Sequence, residues 1–257
     1  MREVTVDAFA KLTLSLHVTG TRADGFHELD ATMVSIDEPH DSLVLKPATR
    51  TSLTITGPFA EGVPADASNL AWRAADACRT TLEIELHKGI PSGGGLGGGS
   101  ADAAAVLVAL QADPRLAPAL GADVPFCMLG GFARVRGIGD ELEAGDPPAL
   151  VFVVATPRFG CSSAAVYRAW DELGGPHHEI NDLQAAAEQI EPRLIDFRRR
   201  FEAAAGAPAI LAGSGSSYAV VFGNVVDAER ARTRVAAALS GSVWLASTVP
   251  AGVVLDP

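Results

Sequence analysis

The segment "IPSGGGLGGGSADAAAVLVAL", residues 90–110, sets six glycines around one leucine and runs straight into small apolar residues. Glycine loses more conformational freedom on folding than any other residue, so such a concentration needs a reason. One reason is a flexible linker. The other is a loop whose backbone approaches something bulky and anionic. Glycines lack a Cβ, so a phosphate can reach the main chain, and they adopt the positive φ angles that a nest of amides requires. The run lies between a strand-like and a helix-like segment, and a helix N-terminus presents unpaired N–H groups and positive dipole. A linker would have little freedom there, so the context favours phosphate binding.

The kind of phosphate loop can be narrowed. No Gly-Lys-Ser/Thr follows the glycines, which excludes Walker A. Gly93, Gly95 and Gly98 satisfy G-x-G-x-x-G. A dinucleotide fold, however, needs a second strand after the helix and an acid about 20 residues beyond the glycines. Here "QADPRLAPALG" follows, with two prolines and no strand pattern.

The flanking elements must hold the loop. In residues 4–18, Leu12, Leu14, Leu16 and Val18 alternate with Lys11, Thr13, Ser15 and His17. A period of two predicts a strand with the leucines on the core face and Lys11 and Thr13 together on the other. Asp24-Gly25 marks a turn, and "DSLVLKP" and "TSLTITG" read as strands. "NLAWRAADACR" predicts a helix with Leu70, Ala74, Ala77 and Cys78 on one face. "TLEIELHKGI" alternates as a half-buried strand and leads into the glycines. The next helix is expected to start at Ser100 as N-cap, with Asp102 in its first turn. Its "AAAVLVAL" is apolar all round, which predicts a buried central helix.

The acidic, proline-containing "DELEAGDPPA" marks a boundary between a first domain, residues 1–146, and a second, residues 147–257. The second half reads as a strand (150–155), a helix (162–173), helices across 181–205 and a strand (209–211). A helix over 226–239 and the strand "VWLAST" complete it. Strands mixed with helices without strict alternation predict α+β in two domains.

Composition bounds the function. Among 257 residues, 48% are hydrophobic, which suits a globular chain. A net charge of −11 argues against nucleic-acid binding, which rests on a basic surface. Cys78, Cys127 and Cys161 are odd in number and form no Cys-x-x-Cys, so neither a disulfide framework nor a zinc site is expected. No secretion signal or membrane-length apolar run is read, so the expected location is the cytoplasm. His177-His178 reads as a surface or structural pair, and no metal-ligating side chains are expected.

The stretch "PSGGGLGGGSADAAA" resembles the ATP-binding motif of the galactokinase, homoserine kinase, mevalonate kinase and phosphomevalonate kinase superfamily. "AKLTLSLHVTGTRADGFHEL" before it, "LGADVPF" after it and "LAGSGSSYAVVF" near the end are similar to the superfamily's other motifs, in order. Together "GGGLGGGSADAA", "DGFHEL" and "GADVPF" resemble the branch that phosphorylates 4-diphosphocytidyl-2-C-methyl-D-erythritol in non-mevalonate isoprenoid synthesis. The resemblance implies a two-domain kinase with its active site in the cleft between domains, ATP as donor and Mg²⁺ as its cation. The acceptor would be a small alcohol bearing a cytidine diphosphate group, and the enzyme a monomer or weak homodimer. The triphosphate would lie on Pro91, Ser92, Gly93, Gly94, Gly95, Leu96, Gly97, Gly98, Gly99, Ser100 and Ala101. Ser100 can add a hydroxyl to a phosphate or to Mg²⁺.

By the same resemblance Asp123 is the catalytic acid–base group, although an Asp there also suits a helix cap. Lys11 is the charge that keeps it ionised. Phe26 and His27 would hold cytosine, against the reading in which Phe26 is core. Tyr167 falls on the substrate side, and Asn69 either lines the adenine pocket or caps a helix. Two positions depart from the branch. Thr13 stands where an asparagine is usual beside the acceptor, and Phe26 replaces a tyrosine.

Overall fold

The period-two pattern at the start of the chain forms a long antiparallel pair in the computed structural model, which describes residues 2–256. Strand β1 (Val4–Thr21) and strand β2 (His27–Pro47) are joined through the Asp24-Gly25 turn. Gly25 adopts φ 86° there, and the Asp24 carboxylate accepts from the Phe26 amide at 3.3 Å. The later half of β2 pairs antiparallel with β4 (Leu82–His87), and β3 (Ser52–Thr56) runs parallel beside β4. The earlier half pairs with β5 (Phe132–Gly137), which is followed by β6 (Glu141–Gly145).

In the second half, β7 (Val151–Pro157) lies between β9 (Tyr218–Phe222) and β10 (Gly241–Val249), and β8 (Ile210–Leu211) edges β9. Thr248 and Val249 of β10 pair with β2, and β11 (Val253–Asp256) returns to β1. The described strands therefore form one connected sheet across the division drawn at residue 146.

Two apolar cores flank this sheet. The first packs Val6, Leu12, Leu43 and Ile84 against α1 (Leu70–Ala77) and α2 (Gly98–Ala109). The second gathers Val153, Tyr218 and Val220 under α4 (Ser163–Glu172), α5 (Gln184–Ile190), α6 (Arg193–Ala205) and α7 (Val225–Ala238). Strand β1 feeds both, because a register shift between Thr13 and Ser15 turns Leu16 and Val18 toward the second core while Leu12 stays in the first. The class is α+β, as the sequence predicts, and residues 101–107 of α2 are all buried.

Some details differ from the sequence reading. Both faces of β1 are covered around Lys11 and Thr13, which are 4% and 0% exposed. The buried face of α1 is Ala71, Ala74 and Ala75, with Ala77 exposed. The segment read as a domain boundary contains β6, a mostly exposed edge strand whose alternation in "ELEAG", Leu142 and Ala144 against Glu141 and Glu143, is too short to stand out beside the acidic and proline residues that follow. Strands β5 and β11 and the short α3 (Val124–Leu129) also escape the sequence reading.

A buried ionic triad fixes where the glycine segment leaves β4 and where it enters α2. The Asp41 carboxylate accepts from the Gly89 and Ile90 amides at 2.7 and 2.8 Å. The Lys88 ammonium donates to Asp41 and, at 2.8 Å, to Asp102 of α2. All three side chains are 2% exposed or less. Asp102 is thus a buried partner of Lys88 rather than a first-turn surface charge. Burial, with Asp41 beside it, pushes the Asp102 carboxyl well above the ordinary carboxylate range against the pull of Lys88. Burial also works against the Lys88 ammonium, but Asp102 and Asp41 outweigh it and raise its pKa.

Removing one member of a buried ionic group leaves the others uncompensated, which costs about 3–5 kcal/mol. Lys88→Met is therefore expected to lower the urea-unfolding free energy by about that amount at pH 7. A carboxyl whose folded pKa is raised binds its proton more tightly folded than unfolded, so its stabilising contribution is present at low pH and lost as pH rises through the raised value. Without Lys88, which pulls that pKa down, the carboxyl rises further, so the variant gains more on acidification and its deficit should shrink as pH falls below 7. A variant as stable as the wild type, or a deficit that grows on acidification, contradicts this account of the triad.

Candidate active site

The glycine loop is pinned through its carbonyls. Gly93 C=O accepts from the Cys161 and Ser216 amides at 3.1 and 3.2 Å, and Gly94 C=O from the Ser217 amide at 3.0 Å. Leu96 C=O accepts from the Lys11 amide at 3.0 Å, while its side chain is buried in the first core. At two positions both the backbone angle and the space require glycine. Gly95 has φ 77°, and a Cβ there would stand 2.0 Å from the Ala212 carbonyl oxygen. Gly97 has φ 74°, and its Cβ would stand 2.8 Å from Cγ of Lys11. The linker reading fails on these contacts.

Helix α2 begins at Gly98 with left-handed Gly97 at its cap, three residues before the expected cap at Ser100. Ser100 lies in the first turn and is not the cap. The N–H groups of Gly98, Gly99 and Ser100 find no acceptor among the described residues, whereas the Ala101 amide donates to Gly97 C=O at 2.8 Å. Ala101 is therefore inside the helical bonding and offers no amide to a ligand, and Pro91 has no N–H to offer. The donors left at the mouth of α2 point to an anion.

A cavity of about 500 Å³ opens beside this mouth and is lined by Lys11, Ser100, Asp123, Gly213, Phe26, His27 and Tyr167 among others. Lys11 Nζ stands 3.3 Å from Asp123 Oδ2 and donates to Thr13 Oγ1 at 3.2 Å. The Lys11 side chain is 5% exposed and that of Asp123 31%, so the pair sits at the cavity wall. Asp123 precedes α3 at the capping position, yet its carboxylate makes no capping bond. It remains available to the cavity.

At the cavity's other end, Phe26 is 59% exposed and is not core. The His27 ring stacks on Tyr167 at 4.9 Å between centroids and 25° between planes, and meets Trp170 edge-on at 5.7 Å. Burial, and then the charge of Asp123, raise the Tyr167 phenol, so its hydroxyl stays protonated and can donate. Arg168 and Asp171 of the same helix line this end, and neither was picked out from the sequence. For Asp171 the i+4 spacing from Tyr167 is the available signal, while Arg168, the next residue along, has none.

A second depression, about 560 Å³, lies at the start of the loop and is lined by Pro91, Ser92, Phe59, Arg158 and Phe159 among others. Asn69 lines neither. Its Oδ1 accepts from the Ala71 amide and its Nδ2 donates to Pro64 C=O, both at 2.9 Å, so both ends of the amide serve the start of α1. Of the two uses read from sequence, the structure shows the cap. His177 is likewise structural, with Nδ1 3.0 Å from the buried Asp182 carboxylate. The three cysteines are free.

The model of the GHMP kinases N terminal domain matches residues 69–131, which span the loop, α2 and Asp123. A 4-diphosphocytidyl-2-C-methyl-D-erythritol kinase of Paracoccus denitrificans is 38% identical over 93% of this chain and 94% of its own. Another, of Moorella thermoacetica, is 36% identical over 93% and 95%. A crystal structure of 4-(cytidine 5'-diphospho)-2C-methyl-D-erythritol kinase superposes with a TM-score of 0.77 at 33% identity, covering 95% of this chain and 98% of that one. A homoserine kinase from Cytophaga hutchinsonii, 18% identical with a TM-score of 0.70 over 100% and 98% of the two chains, shares the fold. The motifs and the fold agree with this similarity over nearly the whole length, and the chain belongs to the 4-diphosphocytidyl-2-C-methyl-D-erythritol kinase family.

Proposed function

We propose that the chain transfers the γ-phosphoryl group of ATP to the 2-hydroxyl of 4-diphosphocytidyl-2-C-methyl-D-erythritol. The observation that carries this reading is the Lys11–Asp123 pair facing the same cavity as Ser100 at the mouth of α2. Phosphoryl transfer asks little covalent chemistry of a protein and depends on positioning and on neutralising charge. The free amides of Gly98, Gly99 and Ser100 supply donors to the phosphates, and the fixed backbone supplies the positioning. The second depression, past Pro91 and Ser92, leaves room for the nucleoside.

On the acceptor side, Asp123 takes the hydroxyl proton as that oxygen bonds to phosphorus. The bond from phosphorus to the β-phosphate oxygen breaks, and ADP carries away its electrons. Lys11 holds Asp123 in place and neutralises charge growing on the acceptor oxygen. Thr13, bonded to Lys11, keeps the ammonium oriented, with a hydroxyl where the branch usually has an amide. Phe26, His27 and Tyr167 hold the cytosine, and Arg168 brings a cation to the acceptor's diphosphate.

Mg²⁺ fits this site as a nucleotide-borne ion. No group of three or more His, Cys, Asp or Glu among the described residues is arranged to hold a metal. Mg²⁺ in such sites keeps several waters and is bound largely by substrate phosphates. The Ser100 hydroxyl, lining the cavity, is the protein ligand it would find. When bound it would neutralise phosphate charge. No helix of the described residues is long and apolar enough to cross a membrane, and we propose a cytoplasmic enzyme that acts as a monomer or weak homodimer.

Two measurements test the reading. Lys11→Met and Asp123→Asn should each lower kcat by about 10²-fold or more while circular dichroism stays unchanged. Near-normal turnover in either variant removes that residue from the mechanism. An ADP-release assay with the cytidine compound, mevalonate, homoserine and galactose should show turnover of the first alone. Turnover of another alcohol alone overturns the acceptor.

A further inference from the structure

His27 has two ring nitrogens, and the fold engages one of them. Nε2 lies 2.8 Å from Oδ1 of Asp171. A carboxylate at neutral pH only accepts hydrogen bonds, so Nε2 must carry the proton in this pair. In a neutral imidazole the bond made by one nitrogen sets the state of the other, which leaves Nδ1 as an acceptor. The ring cannot easily turn to exchange the two. Its side chain is 10% exposed, with Tyr167 on its face and Trp170 at its edge. Trp170 is itself held by its indole N–H, which donates to Pro176 C=O at 2.9 Å. Tyr167, Trp170 and Asp171 come from one helix, α4, at spacings that place them on one side.

Cytosine and uracil differ at one edge. Cytosine presents a 4-amino donor where uracil, like thymine, presents a carbonyl acceptor. A histidine whose free nitrogen only accepts can pair with the amino group and opposes the carbonyl. We infer that Asp171 is a specificity-determining positioning residue, which makes this site prefer cytosine over uracil by fixing the tautomer of His27. The inference rests on the acceptor proposed above and adds what selects its base.

The test compares wild type, Asp171→Ala and Asp171→Asn on the cytidine-diphosphate acceptor and its uridine-diphosphate counterpart, with ¹⁵N NMR of the His27 ring in each protein. Asp171 is half exposed, so both variants should fold. Asn is nearly isosteric with Asp but can donate as well as accept, so it releases the tautomer while keeping the shape. In both variants the cytidine-to-uridine ratio of kcat/KM should fall about tenfold, the worth of one hydrogen bond, chiefly through KM. The ring signals should move from the Nε2–H form to a mixture. A ratio or a ring spectrum that Asn leaves at its wild-type value would mean that Asp171 matters only for shape, and the inference fails. A wild-type chain that phosphorylates neither compound overturns the proposed function and this inference with it. Turnover by the wild type beside variants with an unchanged base preference overturns the inference alone.

Discussion

The glycine loop can offer its amides to an anion because its carbonyls are engaged elsewhere. Gly93 and Gly94 accept from the second half of the chain, and Leu96 accepts from β1 while its side chain anchors in the core. A flexible glycine run would have to be ordered by each ligand, at a cost of about 1–2 kcal/mol per residue fixed. Here that ordering is done when the protein folds. The positive φ of Gly95 and Gly97, and the absence of side chains at both, are what allow these contacts to close. The motif near residue 213 and the loop near residue 95 are therefore two halves of one structure, far apart in the chain and joined by backbone bonds.

Two lysine–aspartate associations flank this loop, and their surroundings separate their uses. Lys88, Asp41 and Asp102 are sealed in and bonded to one another, and Asp41 also takes the Gly89 and Ile90 amides. They hold the ends of the loop and have no access to a ligand. Lys11 and Asp123 are also paired, but the carboxylate is nearly a third exposed and makes no bond to its own helix. The first arrangement fixes a backbone and the second leaves a carboxylate open to the cavity. Neither residue type alone would have distinguished them.

Much of the strand and helix order was legible, because periods of two and of 3.6 in apolar residues survive wherever one face is buried. What escaped had a physical cause. Strand β6 is mostly exposed, and its alternation of Leu142 and Ala144 with two glutamates spans too few residues to mark it. The cap of α2 is Gly97 rather than Ser100, since the chain enters the helix through a left-handed turn against Lys11, which local capping preference does not foresee. Asp102 looked like a first-turn acid because its partner Asp41 is distant in sequence and Lys88 lies across a turn of the fold. Asp123 has two readings from sequence, cap or base, and its missing capping bond, its pairing with Lys11 and its place on the cavity wall favour the second. Asp171 carried no sequence signal beyond its helical spacing from Tyr167.

The account is tested most directly by amide ¹H–¹⁵N shifts of the uniformly labelled protein as a non-hydrolysable ATP analogue with Mg²⁺ is added. The largest changes should fall on Gly98, Gly99 and Ser100, with the carbonyl-bonded partners Cys161, Ser216 and Ser217 moving little. Saturable binding of the analogue with those three amides unmoved would contradict it.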